Sequence, residues 1–332
     1  TFTVPTTGVV SLSGGVQANG PMLVPGTLRI SGSQITAGNV TLGTANSSGR
    51  IEFGGSPLGT LSVAGNLSLN NDSQLVWAAG AAGTANALSI PGDLRMSAGA
   101  PATTADVFVR LSHLGGGMVS AGSGTLRFSQ PGEGLPGANA RKTFDGSQFV
   151  TSGSGSIFLS GLTTLRNVSF TSGGTGDIAF TGNGEHLLDN ETLTSAGTKA
   201  IQGLGGTLKT GTLAFGATAP FLMSGVDLEA VNIDGSATLE NGTFRGFSTI
   251  LGEGLGTVVI PAGGFPVVDG ANSILRISKN RLSMQGGTLT VRDRAQVQIQ
   301  TDGEVEFQSG IVNTDGTIHN DGALVLLSLI HI

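Results

Sequence analysis

The chain has 332 residues, 56 of them Gly, with 11% charged residues and a formal net charge of −6. Gly at about 17% against a usual value near 7%, with charge far below the roughly 25% of ordinary domains, excludes a typical globular enzyme surface. A hydrophobic fraction of 38% with positive mean hydropathy excludes a disordered chain, and 16 scattered Lys and Arg against 22 Asp and Glu argue against binding to nucleic acid or anionic membrane.

The absence of Cys removes disulfides and thiolate metal sites from consideration. Before Val24 there is no basic stretch followed by an apolar run, so no signal peptide is visible, and the chain is expected to begin inside a longer protein. From there a loose unit, Gly-x-aliphatic-x-aliphatic or Phe, recurs to the end. Early copies are Gly26-Thr-Leu-Arg-Ile30, Gly38-Asn-Val-Thr-Leu42 and Gly49-Arg-Ile-Glu-Phe53. Each Gly reads as a corner and each alternating apolar pair as the inward side of a short strand. Phe53, Phe128, Phe180, Phe215 and Phe307 occupy such inward positions, which implies a stacked aromatic core rather than a sugar-binding platform.

Leu61 to Trp77 followed by Ala87 to Met96 carries the cadence Gly-Asn-Leu-Ser-Leu, Ser-Gln-Leu-Val-Trp, Leu-Ser-Ile-Pro-Gly-Asp-Leu-Arg-Met. This resembles the autotransporter-associated strand repeats of bacterial surface proteins. Ala78 to Ala87 and Ala98 to Ala105 are Ala/Gly/Thr-rich and are read as loops. The segment Gln130 to Arg141, with two Pro, three Gly and no alternation, is read as a loop or joint. The expected division is a β-solenoid segment over 1–130, the joint over 131–141, a β-helix over 142–326 and a non-native tail over 327–332.

Asn46, Asn66, Asn71, Asn167 and Asn190 stand in Asn-x-Ser/Thr triplets and are expected to close turns with their side chains. Gly173-Gly-Thr-Gly-Asp-Ile178 is close to a calcium nonapeptide but lacks a residue and occurs once, so it reads as an ordinary turn. Glu185-His-Leu-Leu-Asp-Asn-Glu191 places a His among carboxylates and reads first as a polar loop.

Downstream, Thr288 to Val291, Gln296 to Gln300 and Glu304 to Gln308 alternate strictly. Leu289, Val291, Val297, Ile299, Val305 and Phe307, with Ile318 and Leu324, are expected inside; Gln298, Glu304 and Glu306 are expected outside. The breaks are too short for a crossover helix, and the spacing of the units varies, as irregular rungs with outward loops allow. Gly287 to Leu326 resembles the rungs of filamentous-haemagglutinin-like and autotransporter passenger β-helices. The last residues, Leu327 to Ile332, resemble translated adapter read-through.

The fold expected is all-β, a right-handed parallel β-helix, or β-solenoid, with irregular rungs. The resemblance implies a secreted, bacterial, extracellular or outer-surface protein, and the function expected is a non-enzymatic stalk or adhesin fragment. It is expected to have no cofactor, no metal and no membrane insertion. Host or cell-surface glycans or proteins are the expected partners, together with end-to-end self-association. The alternative is a carbohydrate-active β-helix, a polysaccharide hydrolase or lyase of tailspike kind. Its catalytic candidates are Glu185, Asp189 and Glu191, or Asp302, Glu304 and Glu306, because glycoside hydrolysis needs paired carboxylates.

Overall fold

A computed structural model describes residues 1–14, 16–18, 20–55, 58–78, 87–96, 103–128, 141–251 and 257–326. The chain is all-β, with parallel strands stacked as a β-solenoid of about 12 turns and no helix among the described residues. It divides into two compact units, Thr1–Ile178 and Ala179–Ile332. The expected joint at 131–141 lies, except for Arg141, outside the described residues, as does the tail 327–332.

In the first unit each strand pairs with the third one after it, which gives three short strands per turn. Alternation sends every second side chain inward, and parallel stacking then lines those side chains into columns. One column runs Met22, Val40, Leu67, Leu94, Val119, Phe149 and Phe170. Another runs Ile35, Leu61, Leu88, Leu111, Lys142 and Thr163. The corners are stitched by side chains: Asn39 Oδ1 accepts from the Asn66 amide at 2.9 Å, and Asn66 Oδ1 accepts from the Asp93 amide at 2.9 Å. Asn71, Asn167 and Asn190 have φ of 47°, 49° and 62°, the left-handed geometry that Asn tolerates at a turn. Gly176 is at a corner where an added Cβ would sit 1.8 Å from the Gly155 carbonyl oxygen, so stacked corners here need bare backbone.

In the second unit most turns hold fewer, longer strands, such as Asp227–Asp234, Ala237–Arg245 and Arg281–Arg292. These pass through corners without ending, because single residues such as Thr210, Ala230 and Gly242 take up positive φ. The core columns include His186, Leu208, Leu228, Phe244, Val268 and Val291, and also Ile233, Ile250, Ile277 and Ile299.

Leu289, Val291, Val297, Ile299, Val305 and Phe307 are buried, as their alternation requires, and so are Phe53, Phe128, Phe180 and Phe215. Ile318 and Leu324, expected inside, are 44% and 49% exposed. Both point into an apolar opening of about 250 Å³, shared with Phe307 and Ile311, and no described turn is stacked over them. Alternation tells which way a side chain points; burial also needs a neighbouring turn. Ala105, expected in a loop, is buried within the strand Thr104–Val107. Its Ala/Thr-rich neighbourhood hid a strand whose inward side is small.

Candidate functional site

The carboxylate candidates are carried by two regions of the second unit. Glu185 lies in the strand Glu185–Leu187, which is followed by Asp189 and Asn190 in left-handed conformation. This region, read from sequence as a polar loop, is a strand and corner: His186 and Leu188 point inward and are fully buried. The His186 ring packs 4.9 Å from that of Phe180. Burial pushes its pKa down to about 3, against a weaker opposing pull from Glu185. His186 is therefore a neutral core side chain, turned away from the carboxylates beside it in sequence.

Glu185 instead meets Lys209 at 3.1 Å, and Lys209 also meets Glu229 at 3.2 Å. Hydrogen bonds to Glu185 and then Glu229 hold the Lys209 ammonium above its ordinary pKa. Lys209 and Glu229 begin a column that follows the strand register. Lys209 stands beside Glu229, Glu229 beside Arg245, and Asp269 beside Arg292. Phe244 pairs with Val268 and Val291 with Thr314, so Arg245 adjoins Asp269 and Arg292 adjoins Asp315. Charge alternates at each step, as Lys, Glu, Arg, Asp, Arg, Asp. Arg292 Nε donates to Asp269 Oδ1 at 3.0 Å and pulls the Asp269 pKa down, while the nearby Asp269 carboxylate pushes that of Asp293 up. Like charges directly opposite would repel, so the alternation favours this register, and solvent screening keeps the gain from each exposed pair small.

Asp302 is at an exposed corner and accepts from Ser278 Oγ at 3.1 Å. Glu304 and Glu306 are both bound by Arg281, whose Nε lies 3.0 Å from Glu304 and whose Nη1 lies 2.6 Å from Glu306. Glu306, expected on a solvated face, is 6% exposed. Its register still points outward, since the inward column at this strand holds Val305 and Phe307 beside Leu282 and Met284. The Arg281 pair and the Gln308 amide, 3.0 Å away, bury it instead.

The two candidate groups do not meet. The strand Glu185–Leu187 is linked to Glu304–Thr314 through Thr207–Ala214, Asp227–Asp234, Ala237–Arg245, Phe265–Asp269 and Arg281–Arg292 in succession. At about 4.8 Å per step this is on the order of 30 Å, against the roughly 5–10 Å between the carboxyls of a glycosidase pair.

Replacing Arg281 by Gln leaves Glu306 charged in a largely closed setting. It is expected to cost about 1–2 kcal/mol in urea unfolding, less than a fully buried pair because Arg281 is half exposed. Glu304→Gln, at the more open carboxylate, is expected to cost under about 0.5 kcal/mol. Equal losses from the two changes would contradict the special burial of Glu306.

Sequence reading passed over Arg276 and Phe247, which share an outer face. Arg276 stacks 4.5 Å from the centre of the Phe247 ring, and Phe247 remains 43% exposed. It also passed over Lys142, whose place in a Leu column buries it fully and pushes its pKa down to about 7 by desolvation. Only the alternation Lys142-Thr-Phe-Asp145, with Phe144 buried on the same side, signals that Lys142 points inward.

No protein-family model matches the chain, and no significant match was found among curated proteins or solved structures.

Proposed function

We propose that this chain is part of a non-enzymatic structural stalk or adhesin, exported to the extracellular space or a bacterial outer surface. The observation that carries this reading is the column architecture itself. Successive turns repeat one inward pattern, and outward carboxylates are engaged in ion-paired ladders such as Glu185, Lys209 and Glu229 or Glu304, Arg281 and Glu306. Stacked repeats of this kind depend on nearest-neighbour contacts and suit a mechanical role. The strand cadences resembling autotransporter and filamentous-haemagglutinin-like repeats support export and the surface location. End-to-end self-association belongs to the same reading, and the apolar opening at Ile311, Ile318 and Leu324 supports it.

The test combines three measurements on the purified chain: proteinase K challenge, light scattering over a concentration series, and reducing-end release from a panel of neutral and acidic polysaccharides. The expected result is protease resistance, mass rising with concentration and no new reducing ends. Reducing ends that disappear in a Glu304→Gln/Glu306→Gln double variant would replace this reading with the hydrolase alternative.

A further inference from the structure

We propose that the outer face built by the strands Phe247–Leu251, Ile274–Ser278 and Gln296–Ile299 binds the carboxylate of an acidic sugar, a uronate unit within a polysaccharide. The proposal deepens the adhesive part of the function above.

The register sets two outward columns side by side. Phe247, Ile274 and Gln296 form one, and Thr249, Arg276 and Gln298 form the other. Arg276 makes no ion pair with any described carboxylate, unlike Arg245, Arg281 and Arg292 on neighbouring strands. It is nevertheless held in place. Its guanidinium stacks on Phe247, and its Nη2 donates to Gln298 Oε1 at 3.5 Å. Because Arg can only donate, Gln298 must turn its oxygen toward it and its nitrogen the other way, where Nε2 donates to Gln296 Oε1 at 3.1 Å.

Each amide oxygen thus already accepts one hydrogen bond inside the patch, and Arg276 Nη1 and Gln296 Nε2 are left as donors. A face that offers a fixed cation and hydrogen-bond donors complements a carboxylate. The exposed Phe247 ring and Ile274 lie beside these donors, and an apolar surface next to a charge matches the C–H face and carboxylate of one uronate ring. Phe247 and Gln296 are two strand steps apart, about 10 Å, which is enough for one sugar ring with its carboxylate. An acidic peptide would supply the anion but not the flat apolar face that Phe247 and Ile274 meet.

The test is calorimetric titration of the full chain with trigalacturonate, with neutral galactotriose and with a tetraglutamate peptide, folding being checked by circular dichroism. Expected are saturable binding of trigalacturonate, at least tenfold weaker binding of the other two probes, and at least a tenfold loss in Arg276→Gln. Arg294→Gln, which alters an exposed corner residue, is expected to leave the affinity unchanged. Absence of saturable binding, equal binding of galactotriose or tetraglutamate, or equal losses in Arg276→Gln and Arg294→Gln would overturn the proposal. Should Arg276→Gln fail to fold, Gln296→Leu decides, with a threefold or greater loss expected and an unchanged affinity overturning the assignment. Failure here leaves the mechanical reading intact, because that reading is judged by protease resistance, scattering and reducing ends.

Discussion

Phe149→Ala is expected to lower the unfolding free energy by about 3–5 kcal/mol, the range for removing a fully buried aromatic side chain. Phe149 is fully buried in the column between Val119 and Phe170. Its ring centre lies 4.9 Å from that of Phe144 and 5.4 Å from that of Phe170, with Phe128 at 6.5 Å. Removing it opens a void touching three other rings, Phe170 on the next turn and Phe144 and Phe128 on the two preceding strands, and a solenoid core has little freedom to collapse because each turn is pinned by backbone hydrogen bonds on both sides. Thr143→Ala, on the outward side of the neighbouring strand Lys142–Asp145, should stay within about 0.5 kcal/mol. Urea unfolding followed by circular dichroism measures both. A Phe149→Ala loss below about 1 kcal/mol would mean that the ring cluster does not hold the first unit together.

The second large effect is on acid stability. Burial lowers the His186 pKa from 6.5 to about 3 in the folded chain. Between these values the unfolded chain binds a proton that the folded chain does not, so stability falls as pH drops from about 6.5 toward 3. At 1.36 kcal/mol per pKa unit, the full window is worth on the order of 5 kcal/mol as an upper bound. Burial shifts His113 in the same direction.

Lys142 acts in the same sense at higher pH. Its folded value near 7 lies below the unfolded 10.5, so stability rises with pH across that interval. His186→Gln, which keeps a hydrogen-bonding side chain but cannot titrate, is therefore expected to lose several kcal/mol less than the parent chain between pH 6.5 and 4. Urea midpoints at half-unit pH steps provide the measurement. Parallel pH profiles for parent and variant would show that His186 is not the acid-labile group.

The inward register of Val297, Ile299, Val305 and Phe307 could be read directly from the sequence, because strand alternation is a local property with a period of two. The same rule, together with Gly and Asn at the corners, identified the short strands of the first unit, the lack of helix among the described residues and the stacked Phe core. It also named Glu304 and Glu306 as neighbours on one face. What it could not supply was the vertical register. Turns differ in length, with Gln74 opposite Asp106 but Leu228 opposite Phe244, so the strand partners described are separated by anything from 16 to 32 positions.

For that reason the alternating column from Lys209 to Asp315, the Arg281 clamp that helps bury Glu306, and the meeting of Phe247 with Arg276 exist only in the tertiary structure. His186 is the clearest case. In sequence it sits among carboxylates and suggests chemistry, whereas in the fold its strand turns it into the core against Phe180. Ile318 and Leu324 are the converse, apolar and correctly oriented yet exposed, because a side chain's direction is set within its own strand and its burial by the turn stacked upon it.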